Sequence, residues 1–66
     1  MEISVNGDIL EVPENCTLSG LIEQMELVGK KIAIELNMEI IPRSLHSETR
    51  LHRKDNIEVV QAIGGG

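Results

Sequence analysis

The sequence predicts an α+β domain in which one mixed sheet carries a single helix on one face, in the order ββαβ(β)β. Three observations carry that reading. Apolar residues alternate with polar ones at both ends of the chain, as Met1, Ile3, Val5 and again as Ile57, Val59, the period of half-buried strands. Between them lies one stripe at helical spacing, Leu18, Leu21, Ile22, Met25. The dipeptide Asn6-Gly7 interrupts the first alternation at the point where a hairpin needs two residues with positive φ. A chain of 66 residues has room for one such pair of layers and one core.

In chain order, strand one turns Met1, Ile3 and Val5 inward and Glu2, Ser4 and Asn6 outward. After the Asn6-Gly7 turn, strand two resumes with Leu10 and Val12 inside and Ile9 and Glu11 outside, and Pro13 closes it by removing a ladder donor. Glu14-Asn15-Cys16 then leads out of the sheet to Thr17, a good N-cap. The stripe that follows predicts a helix of about three turns, stopping near Val28, with Gly29 and Lys30-Lys31 suited to the helix end and its dipole. Gly20 inside it costs up to about 1 kcal/mol relative to alanine. Ile32, Ile34 and Leu36 make a β-branched third strand, and Ile40-Ile41 a short one that Pro42 ends. From Arg43 to Lys54 only Leu45 and Leu51 are apolar, which predicts an irregular surface excursion pinned by those two side chains. Ile57 and Val59 then alternate with Glu58 and Val60 in a last strand that leads through Ala62-Ile63 into glycine. A hairpin, a crossover helix and returning strands fit a β-grasp, ubiquitin-like roll over residues 1–63, followed by a flexible glycine tail over 64–66.

Composition excludes several functions. With 0% aromatic residues there is no platform for stacking bases, and eleven acidic against six basic residues give a net charge of -5 that repels phosphate backbones and anionic lipid. Neither nucleic acid nor membrane is expected as a partner. No apolar run approaches the roughly 20 residues of a membrane helix, and Met1-Glu2-Ile3-Ser4-Val5 has no signal-peptide pattern, so a cytoplasmic location is expected. The lone Cys16 agrees with a reducing compartment.

Gly64-Gly65-Gly66 carries the chemical expectation. Without Cβ, glycine enters a channel too narrow for any side chain, and three extended residues reach roughly 10 Å. The carboxylate of Gly66 is ionised at neutral pH and is a poor electrophile until activated, for instance as an acyl-adenylate. On that reading the tail is a substrate and the chain is not an enzyme. Gly-rich ends are otherwise inert linkers.

At this point the chain resembles the sulfur carriers of thiamine biosynthesis, the ThiS family, over essentially its whole length. The resemblance rests on Val5-Asn6-Gly7, Glu11-Val12-Pro13-Glu14, Thr17-Leu18, Asn37 followed by Ile40-Ile41-Pro42-Arg43, Asp55-Ile57-Glu58-Val59 and the glycine tail. It implies a β-grasp fold and a cycle in which a partner uses ATP and magnesium to adenylate the carboxylate of Gly66. A persulfide donor then converts it to a thiocarboxylate that supplies sulfur for the thiazole made by thiazole synthase. No cofactor is bound by the chain itself. A molybdopterin synthase small-subunit-like carrier is the neighbouring alternative, and a β-grasp module that only binds a partner is the alternative from another class. The family pattern places glycine where Met38 and Lys54 stand here, so those two turns are expected to be strained or differently shaped.

The remaining candidates serve docking. Gly65 and Gly66 would enter the partner's active site, and Val60, Ala62, Ile63, Gly64 and Arg43 would contact the partner around it. Val60 and Ala62, with Ile9, would form an exposed apolar patch, which marks a docking site or is ordinary aliphatic surface. Arg43 either meets an acidic partner site or caps a carbonyl in its own loop. His46, His52 and Cys16 match no tetrahedral metal spacing and read as two surface histidines and a small loop residue. A nucleophile–base pair of Cys16 with either histidine is formally open, although so small a domain offers no evident cleft for a substrate.

Overall fold

The computed structural model describes residues 1–61, and the expectations for Ala62, Ile63, Gly64, Gly65 and Gly66 lie outside them. Five strands form one sheet in the order β2-β1-β5-β3-β4, with helix α1 crossing one face, the predicted β-grasp roll. β1 (Glu2–Val5) and β2 (Asp8–Glu11) pair antiparallel, with Ile3 opposite Leu10 and Ser4 opposite Ile9. Their turn has φ of 51° at Asn6 and 87° at Gly7, the two left-handed residues that match a hairpin's twist. β5 (Asn56–Gln61) runs parallel to β1 and antiparallel to β3 (Ile32–Leu36), and β4 (Glu39–Ile41) closes the far edge. The last strand therefore lies in the middle of the sheet.

The core is wholly aliphatic: Ile3, Val5, Val12, Leu18, Leu21, Ile34, Leu51 and Ile57 are all buried. Leu18 and Leu21 of α1 are completely inaccessible, while Ile22 and Met25 are half-buried at the margin of the same stripe.

The helix is shorter than its stripe predicts. It spans Leu18–Gln24, two turns, and ends before Val28 because Glu26 takes up a left-handed φ of 60°. The amide of Leu27 then donates to the Ile22 carbonyl and that of Glu26 to the Glu23 carbonyl, the paired bonds of a Schellman ending. Gly29, at φ 82°, belongs to a separate turn that the Lys30 amide closes onto the Leu27 carbonyl. At the other end Thr17 is the N-cap, its hydroxyl accepting from the Gly20 amide at 3.1 Å. A Cβ at Gly20 would stand 3.3 Å from the Cys16 sulfur, so the glycine makes room for that side chain.

The stretch from Arg43 to Lys54 is less irregular and differently anchored than expected. It opens with a 3₁₀ turn over Arg43–Leu45, and Leu45 stays exposed while His46 is buried, 5% accessible, with Nε2 3.0 Å from the Ile41 carbonyl. His46 is thus not a surface histidine. Buried polar groups persist where they find partners, and this ring ties the turn to the end of β4. The same stretch supplies the acceptors that the first turn of α1 lacks: Leu18 N–H donates to Thr49 and Ser19 N–H to His46, both through backbone carbonyls. Leu51, the other expected pin, is buried as predicted.

Both glycine-deficient turns require positive φ. Asn37 and Met38 have φ of 50° and 73° in the β3–β4 hairpin, and Lys54 has φ 69° before β5. A left-handed residue with a Cβ costs about 1–2 kcal/mol, and glycine's extra chain entropy offsets about half of that. Met38→Gly and Lys54→Gly are each expected to raise stability by about 0.5–1 kcal/mol in urea melts. A lowered midpoint in both would show that the side chains contribute more than their backbones cost.

Candidate functional site

β5 delivers the chain to its C-terminal residues, and two asparagine side chains hold it in register. At its start, Asn37 Oδ1 accepts from the Asn56 amide at 2.9 Å while Asn37 Nδ2 donates to Asp55 Oδ1 at 3.1 Å. Asp55 is buried, and its other oxygen accepts from the His52 amide at 2.7 Å. Further along, β1 has ended, and the Asn6 side chain takes its place: Oδ1 accepts from the Val59 amide at 2.8 Å and Nδ2 donates to the Val59 carbonyl at 3.2 Å. One amide side chain thereby extends the ladder that the β1 backbone no longer supplies. Val60 and Gln61 follow, paired with Ala33 and Ile32 of β3.

The helix-free face of the sheet presents Val60, 57% exposed, with Ala33 beside it and Ile40 of β4 also exposed. Ile9 is exposed on this face too but does not join Val60. It lies opposite Ser4, which pairs with Asn56, four positions before Val60 on β5. The apolar patch is therefore split: Ile9 stands apart, and the partners of Val60 on this face come from β3 and β4. Glu35 and Glu58, directly paired, lie among them.

Arg43 is exposed, and its Nη2 donates to the Lys30 carbonyl at 3.3 Å, so it caps a carbonyl, though one of the α1–β3 loop and not of its own. The Cys16–histidine pair is not assembled. Cys16 Sγ donates to the Thr17 carbonyl at 3.3 Å, His46 is engaged with Ile41, and the exposed His52 ring sits 3.9 Å from Asp55. Burial also pushes the Cys16 thiol above its usual range, opposite to what a nucleophile needs. Among the described residues no group of three His, Cys, Asp or Glu side chains is placed to hold a metal ion, and no helix is long and apolar enough to cross a membrane. What the described residues build is a central strand held by side chains at two points, by Asn37 at its start and by Asn6 at Val59.

The model of the ThiS family matches residues 1–66. The chain belongs to the ThiS family. Among individual proteins, it is 32% identical over 65 residues to the sulfur carrier protein ThiS of Bacillus subtilis, covering 97% of this chain and 98% of that one. It is 30% identical over 66 residues to a thiazole synthase of Paramagnetospirillum magneticum, where the match covers all of this chain and 20% of the relative's length. In three dimensions it superimposes on the thiamine biosynthesis protein ThiS of Geobacter metallireducens with a TM-score of 0.86 at 26% identity, over 100% of both chains. Asn6, Asn37 and Asp55, quoted above for the ThiS resemblance, prove to be the side chains and turn residues that fix β5.

Proposed function

We propose that this ThiS-family chain is a sulfur carrier of thiamine biosynthesis, consumed and regenerated at its own C-terminus. The observation that carries the reading is the family match extending through Gly66 onto a fold whose central strand leads to that residue. The Gly66 carboxylate attacks the α-phosphorus of ATP, held with magnesium by an adenylating partner, and pyrophosphate leaves. Sulfur from a persulfide donor displaces AMP at the activated carbonyl carbon, and reduction of the resulting S–S bond by a thiol leaves the thiocarboxylate. Thiazole synthase then takes the sulfur. Relatives named thiazole synthase contain a segment similar to this whole chain, which supports that partner over the molybdopterin pathway.

Residues 64–66 act as the thin lead into the partner, because glycine alone leaves the reacting carboxylate unobstructed. Ala62 and Ile63 extend the contact that Val60 begins. The test is the intact mass of the chain after incubation with the adenylating enzyme, Mg-ATP, a persulfide donor and a thiol. Replacement of one terminal oxygen by sulfur is expected. An unchanged mass, under conditions that convert the B. subtilis carrier, would overturn the proposal.

Val60→Asp is expected to weaken binding to the adenylating partner while leaving the thermal midpoint within error, since the side chain is exposed in the free domain but a charge there would be desolvated at an apolar interface. Parallel loss of binding and stability would place Val60 in the fold's packing and not in docking.

A further inference from the structure

We propose that Lys30, Lys31 and Arg43 form a cationic collar at the point where the chain leaves β5, and that it docks against carboxylates around the tail entrance of the activating partner. The inference rests on the carrier reading above and adds the chemistry of the partner's surface. The chain as a whole is acidic, with a net charge of -5, and bulk charge alone points to a basic partner. Its six lysines and arginines are not spread evenly. Arg50, Arg53 and Lys54 sit in the loop that enters β5, whereas Lys30, Lys31 and Arg43 gather at its exit. Gln61 pairs with Ile32, directly after Lys30-Lys31, so the last described residue of the chain stands beside this second group. Arg43 is drawn to the same place by its bond to the Lys30 carbonyl.

The three cations are exposed. The ion pairs among the described residues involve the Met1 amine and His52, and none of these three side chains. Arg43 spends one N–H on Lys30, and the remaining edge of its fork is free for a bidentate carboxylate. Beside the collar runs a groove between the end of α1 and the 3₁₀ turn. Ile22, Leu27, Val28 and Ile32 give it an apolar lining, with Lys30, Arg43 and Glu23 also among its lining residues. Val28 is 67% exposed there. An apolar lining next to Lys30 and Arg43 fits an acidic segment that carries one aliphatic or aromatic side chain. Such a contact acts on encounter and on register, holding the first residue of the tail while the last enters the active site.

The experiment is ATP–pyrophosphate exchange with the purified adenylating enzyme, titrating the carrier. Lys30→Glu/Lys31→Glu and Arg43→Glu are each expected to raise KM for the carrier about tenfold or more, with kcat changed less than about twofold. Added salt should raise KM for the parent and do so more weakly for these variants. Arg50→Glu/Arg53→Glu, the same charge change at the far end of β5, is the control and should leave KM within about twofold. Thermal melting accompanies each variant. If Arg43→Glu is destabilised through loss of the Lys30 contact, Lys31→Glu decides, because its side chain makes no hydrogen bond or ion pair among the described residues. Unchanged KM in the collar variants, or an equal rise in the control, overturns the collar while leaving the carrier reading intact. Absence of exchange with the parent overturns both.

Discussion

Deletion of Gly66, or addition of one residue after it, is expected to abolish ATP–pyrophosphate exchange while leaving the melting temperature unchanged. Adenylation needs the carboxylate in line with the α-phosphorus and nearly in contact, and each residue added or removed moves it by about 3.5 Å along the channel. A displacement of that size removes the positioning that supplies several kcal/mol of the barrier. Stability is expected to be untouched because the buried core of the described residues runs from Ile3 to Ile57, well before the residue that is removed or added. Gly65→Val should act in the same direction, by filling the channel and narrowing φ/ψ. Exchange at the parental rate by both the shortened and the extended chain would remove the carrier function and favour a module that only binds.

The second large effect falls on the fold. Leu21 is completely buried between α1 and the sheet, so Leu21→Ala is expected to cost about 2–5 kcal/mol, through lost burial and the cavity left behind. Single domains hold about 5–15 kcal/mol in all, and one of this size lies toward the lower end, so the variant should be largely unfolded at moderate urea. Ile22, one position on, is only half-buried, at the margin of the stripe, and its truncation should cost clearly less. Urea titrations of the two variants measure the difference. Equal losses would mean that α1 is rotated about its axis relative to the structure described here.

Much of this was legible along the chain because the signals are local. Asn6-Gly7 takes up the left-handed pair that its composition favours, and Thr17 caps the helix where a side-chain oxygen precedes an apolar stripe. Strand faces followed from alternation: Ile3, Val5, Ile34 and Ile57 are buried, and Val60 is exposed. The end of the helix was not legible. Met25 continues the stripe, yet it serves as the C-cap, and the left-handed turn at Glu26 is taken by a residue that carries no marker for it. His46 departs from its expected surface position for a related reason. Histidine in a polar stretch reads as surface, and only the packing of the 3₁₀ turn against β4 and α1 supplies the carbonyl that makes its burial affordable.

By itself, then, the sequence determined the strands, the hairpin turn, the start of the helix and which apolar residues face the core, because each depends on residues within a few positions of one another. Tertiary structure alone decided which strands are neighbours. The order β2-β1-β5-β3-β4 parts Ile9 from Val60 and sets Gln61 beside Ile32, which is what gathers Lys30, Lys31 and Arg43 at the tail's exit. Pairing of that kind joins positions far apart in the chain, and it is selected by burial of the whole apolar face at once, a quantity no short window of residues contains.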